Sequence, residues 1–196
     1  MPKFILYACP QGPLADQLQN YLDQSRERIG RNAAHAYMPH CTLTGFFEDD
    51  PRVIPGDIEL LGQLLKQALP DCPQPSIRVR GMGLQPGWLG LDLDAHWVRQ
   101  LASDFATSAN RGQRSTRISA KNWLHLSLAY DFPPQQQAAF GALARQQVDP
   151  GAAVSWQIRY CQREAGASWL CHQAWQLPAS PPLPEVPQAV GRQPIG

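Results

Sequence analysis

Two four-residue strings in this chain have the same order of side-chain types. His40-Cys41-Thr42-Leu43 and His125-Leu126-Ser127-Leu128 each read histidine, apolar, hydroxyl, leucine. Each lies in a stretch with β-strand character, Met38 to Phe47 and Leu124 to Phe132. Strand side chains alternate between faces, so His40 and Thr42 point one way while Cys41 and Leu43 point the other. His125 and Ser127 divide from Leu126 and Leu128 in the same manner. An imidazole is a general acid or base near neutral pH, and a hydroxyl donates a hydrogen bond to an oxyanion. Two such pairs facing each other make a site for a phosphodiester. One copy alone is an ordinary strand histidine beside a β-former. Two copies among only five histidines are hard to assign to coincidence.

The elements around the two strings repeat as well. Lys3 to Ala8 reads as a buried strand, and Leu14 to Ile29 has the apolar stripe of a helix that Gly30 ends. A polar loop through His35 and Tyr37 leads into the first motif. Asp57 is the expected N-cap of a helix from Ile58 to Ala68. Strands follow at Ser76 to Met82 and Trp88 to Leu93, then a helix at His96 to Ala109. A second polar loop, Asn110 to Lys121, delivers the second motif. Pro133-Pro134 opens a helix to Gln146, and strands at Val154 to Gln162 and Ser168 to Gln176 close the fold. Strand, helix, loop, motif strand, helix, strand thus occurs twice, with the histidines 85 residues apart. The order predicts an α+β fold of two pseudo-symmetric lobes, each an antiparallel sheet with outer helices, flanking a central cleft. Residues 1–177 are expected to form this bilobal domain and residues 178–196 a proline-rich, flexible tail. The tail's Pro-x-x-Pro character makes a proline-binding partner a weak expectation.

Composition narrows the function classes. With 43% hydrophobic residues and six tryptophans the chain can build a real core. A net charge of +1 supplies no strong field for a long nucleic-acid duplex or an anionic membrane, and leaves a small anionic ligand open. No stretch approaches the ~20 apolar residues of a membrane helix, and the run Phe4 to Cys9 is too short for a lipoprotein signal. Five cysteines without a Cys-x-x-Cys pair suit a reducing compartment, and the cytoplasm is the expected location. Cys41 reads as a buried structural thiol.

At the motifs the sequence resembles the two-histidine phosphoesterase superfamily. Pro39 to Phe47 and Leu124 to Tyr130 look most like the phosphoesterase domain of TULA-type proteins, with RNA-ligase-like cyclic phosphodiesterases next. The resemblance implies cleavage, without metal or other cofactor, of a phosphodiester at a ribose 2′ position. A 2′,3′-cyclic phosphate of a nucleotide or RNA end is the implied substrate; a 2′–5′ linkage is the alternative. His40 and His125 would be the catalytic pair, with Thr42 and Ser127 binding phosphate. Which histidine is base and which is acid stays open. A nucleotide or RNA-end binding module without turnover is a third reading.

Further candidates rest on position. Arg114 and Arg117, in the cationic loop before the second motif, are placed to reach phosphate. His35 and Tyr37 hold the corresponding place before the first, and Tyr7 and Tyr130 offer rings for a base. Asp92 and Asp94 share a strand face but read as a solvated strand end rather than a cation site. His96 and His172 match no motif.

Overall fold

The computed structural model describes residues 1–70, 77–164 and 168–178. The expected tail, apart from Pro178, lies outside the described residues, as does Cys72. The strands are β1 (Lys3–Gln11), β2 (Cys41–Thr42), β3 (Phe47–Glu48), β4 (Arg78–Gln85), β5 (Trp88–Asp94), β6 (His125–Tyr130), β7 (Ser155–Arg163) and β8 (Trp169–Gln176). The helices are α1 (Pro13–Arg28), α2 (Ile54–Ala68), α3 (His96–Ala109) and α4 (Gln137–Gln147). All strand pairs are antiparallel, in the order β4-β5-β6-β2-β1-β7-β8, with β3 beside β1.

This is the expected α+β arrangement, and the two lobes meet edge to edge at β6 and β2. Around that seam β5 corresponds to β1 and β4 to β7. The third strand of each lobe comes from the other half of the chain: β4 follows the first motif but pairs in the second lobe, and β7 does the reverse. The lobes are therefore covalently interleaved.

Periodicity decides which face is core. On β1, Phe4, Leu6 and Ala8 join the main core with Trp156, Ile158 and Tyr160 of β7. The helices cover that face with stripes such as Leu14, Leu18, Tyr21 and Leu22 of α1 and Val98, Leu101, Ala102 and Phe105 of α3. The other face of β1 buries Ile5, Tyr7 and Cys9 in a smaller cluster with Cys161, Met38 and Trp169.

Two expectations are corrected. The first motif strand does not run from Met38 to Phe47. Its regular ladder stops at Thr42: Leu43 N–H still donates to the Leu6 carbonyl of β1 at 2.9 Å, but the Leu43 carbonyl and the Gly45 N–H bond to the loop before β6. Gly45 N–H donates to the Ser119 carbonyl at 2.8 Å, Lys121 N–H donates to the Leu43 carbonyl at 2.8 Å, and the Leu6 N–H is taken by the Thr44 hydroxyl at 3.1 Å. Nor is Asp57 an N-cap. Pro55, in the first turn, starts α2 earlier, and Asp57 sits inside the helix, 2% exposed.

The Asp57 carboxylate is held by Arg114, through a bidentate pair, and by the Tyr160 hydroxyl at 2.8 Å. Arg114 also reaches Asp49 at 3.3 Å and the Ala109 carbonyl at 3.1 Å, while Ser115 donates to Asp49 at 3.3 Å. This network fastens the loop that leads into the second motif to α2 and β7. Removing one partner of a buried pair leaves the other charge uncompensated, at a cost of about 3–5 kcal/mol. Arg114→Ala is expected to lose stability on that scale in denaturant unfolding. A loss under about 1 kcal/mol, the size of an exposed pair, would contradict the network's structural role.

Candidate active site

The motifs meet at the lobe seam. Cys41 of β2 pairs with Leu126 of β6, both side chains buried toward the helices. Continuing that antiparallel register by one residue sets His40 opposite Ser127 and Thr42 opposite His125, all four on the opposite face. Directly opposed residues have Cβ atoms about 4.5–5.5 Å apart and diagonal ones about 7–8 Å, so the two imidazoles stand on a diagonal. They line one cleft of about 340 Å³ together with Tyr7, Tyr37, Phe46, Trp88, Lys121 and Tyr130. Thr42 is also paired with Tyr7 on β1, and His125 with Asp92 on β5.

The surroundings distinguish the histidines. His40 Nδ1 lies 2.8 Å from the Met38 carbonyl, so the neutral ring donates from Nδ1 and keeps its lone pair on Nε2. Tyr7 and Tyr37 flank the ring at 4.2 and 5.3 Å between centroids. Burial pushes the His40 pKa down to about 4, against the Met38 carbonyl, and the second histidine adds to the fall. His125 is also lowered by burial and by Lys121, but the Trp123 backbone and the Asp92 carboxylate favour its charged form. Its Nδ1 is buried beside the Trp123 backbone without a hydrogen bond of good geometry.

A tryptophan pair organises the second motif. The Trp123 ring stacks on His125 at 3.8 Å, and its N–H donates to Asp92 at 3.1 Å. The Trp88 ring meets Trp123 at 4.9 Å and stands edge-on to His125 at 5.6 Å. Its N–H donates to Ser127 Oγ at 3.0 Å, leaving that hydroxyl's own proton to donate elsewhere. Trp88 has this position because the strands beneath it lack side chains. A Cβ on Gly90 would collide with the Leu126 carbonyl and lie 2.6 Å from the Trp88 ring, and one on Gly83 would lie 2.9 Å from it.

The opposite wall is a second aromatic group. Trp169 stacks on Phe46 at 6.0 Å and meets Tyr7 edge-on at 5.5 Å. The Arg163 guanidinium lies over Tyr37, Phe46 and Trp169 at 5.7–6.0 Å. Burial, with Tyr37 and Asp131 as neighbours, raises the Tyr130 pKa to about 12. The buried Tyr7 hydroxyl has no partner among the described residues, and burial raises its pKa so that it stays a donor.

Of the residues expected from sequence, His40, Thr42, His125, Ser127, Tyr7, Tyr37 and Tyr130 come together here. His35 does not. It is buried under the 3₁₀ turn Ala33–Ala36, accepting from Asn32 N–H at Nδ1 (3.0 Å) and meeting Ser25 Oγ with Nε2 at 2.9 Å. Arg114 is held by Asp57 and Asp49, and Arg117 is exposed outside the cleft lining. Asp94 pairs with Arg80 at 2.9 Å, and Asp92 serves Trp123. Among the described residues no group of three His, Cys, Asp or Glu side chains is arranged to hold a metal ion. Trp88, Trp123, Lys121, Phe46 and Trp169 were not anticipated. Lys121, Trp123, His125 and Ser127 share one parity, so the same alternation that placed the motif also marks the first two.

No family model matches the chain. It is 27% identical over 203 residues to the ecdysteroid-phosphate phosphatase of Drosophila melanogaster, covering 83% of this chain and 26% of that protein. It is 29% identical over 165 residues to ubiquitin-associated and SH3 domain-containing protein A of Mus musculus, with the same coverages. Protein B of that name from Homo sapiens is 29% identical over 168 residues, covering 83% of this chain and 25% of the relative. The chain thus spans about a quarter of the length of these curated relatives. A solved structure described as a phosphoesterase has the same fold, with a TM-score of 0.55, 16% identity, and coverage of 90% of this chain and 99% of that one. In sequence the chain is a homologue of the ecdysteroid-phosphate phosphatases and TULA-type proteins, it shares the fold of a solved phosphoesterase, and both findings are consistent with the two-histidine phosphoesterase superfamily.

Proposed function

We propose that the chain is a phosphoester hydrolase, and within that class a metal-independent phosphodiesterase that opens 2′,3′-cyclic phosphates of nucleotides or RNA ends. The observation that carries this reading is the square formed by His40, Ser127, Thr42 and His125 on one face of the lobe seam. It offers two proton-transfer groups on a diagonal with a hydroxyl beside each.

His40 is the base. Its Nε2 lone pair is free because Nδ1 serves Met38, and its low pKa keeps the ring neutral at neutral pH. It takes a proton from water as the water oxygen bonds to phosphorus. The bond from phosphorus to the ribose oxygen then breaks, and His125, charged with the support of Asp92, gives its proton to that oxygen. Thr42, Ser127, the Tyr7 hydroxyl and Lys121 hold the non-bridging oxygens. The aromatic walls receive the nucleoside.

Each proton transfer contributes about 10²–10⁴-fold. Turnover of 2′,3′-cyclic mononucleotides in EDTA is expected to fall by at least about a hundredfold in both His40→Ala and His125→Ala, each verified as folded by circular dichroism. No turnover by the wild type of these substrates or of a 2′–5′ oligoadenylate would overturn the reading.

Two consequences of pH follow from the environments. The active form pairs neutral His40 with charged His125, so kcat/KM should rise as pH drops below the usual histidine value near 6.5 and collapse as His40 protonates near 4. Asp92→Asn should move the alkaline limb to lower pH and leave the acid limb in place. The His40 pKa is lower folded than unfolded, so its neutral burial costs nothing at neutral pH. Stability is lost as pH falls from about 6.5 to about 4, where the unfolded chain binds a proton the folded one refuses.

The Trp88 N–H is a positioning donor. Trp88→Phe keeps the ring and removes the bond to Ser127, and is expected to lower kcat about tenfold with little change in KM. A rise in KM alone would show that Trp88 serves ground-state binding instead.

A further inference from the structure

One pair of cysteines lies face to face in the β7–β8 ladder, outside the proposed chemistry. There Cys161 and Cys171 are direct antiparallel partners, next to a bulge between Tyr160 and Cys161. Opposed antiparallel residues have Cα atoms about 4.5 or 5.5 Å apart, and a disulfide takes Cα separations of about 4.4–6.8 Å. Being cross-strand partners, the two side chains leave the sheet on one face. Both are thiols in this structure. Cys161 is buried at 1% exposure against Ile5, Tyr7 and Cys9, whereas Cys171 is exposed on the edge strand and donates to the Gln173 carbonyl at 3.3 Å.

We propose that Cys161 and Cys171 form a reversible cross-strand disulfide on exposure to a peroxide. Cys171 is the sulfur that solvent reaches. As thiolate it attacks a peroxide oxygen, the O–O bond breaks, and the hydroxide released takes a proton to become water. The resulting sulfenic sulfur is then attacked by Cys161, the S–O bond breaks, and the departing hydroxide takes the Cys161 proton as a second water. One peroxide is reduced and two thiols are oxidised. Burial raises the Cys161 pKa, which keeps that thiol from reacting first.

The bond would clamp β8 against β7 beside the cleft. Trp169 lies two residues from Cys171 on the same strand, stacks on Phe46 and abuts Tyr7, and Tyr7 flanks His40. Oxidation therefore fixes the strand that supplies one aromatic wall.

The test treats the full chain with hydrogen peroxide, then with dithiothreitol, and follows it by intact mass, peptide mapping and thermal unfolding. The expected product is a monomer lighter by two hydrogens, with a Cys161–Cys171 linked peptide and a melting temperature a few degrees higher, all reversed by the reductant. Cys171→Ser, on the surface, should fold normally and show neither change; Cys161→Ser should lose the linked peptide. A Cys9–Cys171 link, an intermolecular disulfide, or sulfinic acid at Cys171 with Cys161 still reduced would each overturn the proposal.

Discussion

The site depends on one antiparallel contact. Cys41 and Leu126 form the strand pair that joins the two halves of the sheet, and the parity of that pair decides everything on the cleft face. With Cys41 opposite Leu126, each histidine faces a hydroxyl of the other lobe. A slip of one residue would turn every motif side chain of one strand into the core. The buried apolar pair guards against that slip, because Cys41 and Leu126 are each 1% exposed and a polar residue in either place would lose its water. The short seam is held from outside. The lobes exchange their third strands through β4 and β7, and the loop before β6 hydrogen-bonds to the segment after β2 through Ser119 and Lys121.

Equal motifs sit in unequal shells. His40 is packed by tyrosines on β1 and the preceding loop and is tied by a carbonyl through Nδ1. His125 is packed by tryptophans and faces a carboxylate across the β5–β6 ladder. Burial lowers both pKa values, but only His125 has an acidic neighbour to offset it. An internal repeat thus places two identical imidazoles, and their neighbours make them chemically unequal, which is the difference that the proposed division into proton acceptor and proton donor draws on.

Much of this was legible in the sequence because it rests on local periodicity. The span of α3, the pairing of His with hydroxyl on one face, the double order of elements and the lobes about a cleft all follow from alternation and helical stripes. What stayed hidden is set by long-range contacts. Arg114 reads as a free cation until Asp57, far away in sequence, is seen to be buried beside it. His35 reads as a cleft residue, although a local 3₁₀ turn directs it to Ser25. The break in the first motif strand comes from Thr44 and Gly45 finding partners elsewhere. Trp169 and Phe46 meet only through the sheet, and no spacing links them.

The glycines beneath Trp88 connect these levels. Neither Gly83 nor Gly90 touches the cleft as a functional group, and a strand loses some stability by having them. Their missing side chains let an indole lie flat across β4 and β5, where its N–H reaches Ser127 and its edge braces His125. The hydroxyl of the second motif thereby accepts from a fixed donor, and its own proton stays free to donate. On the first lobe the same service to His40 comes from a backbone carbonyl and two tyrosines. The two half-sites share their motif and differ in how it is supported, and chemical asymmetry enters through that support.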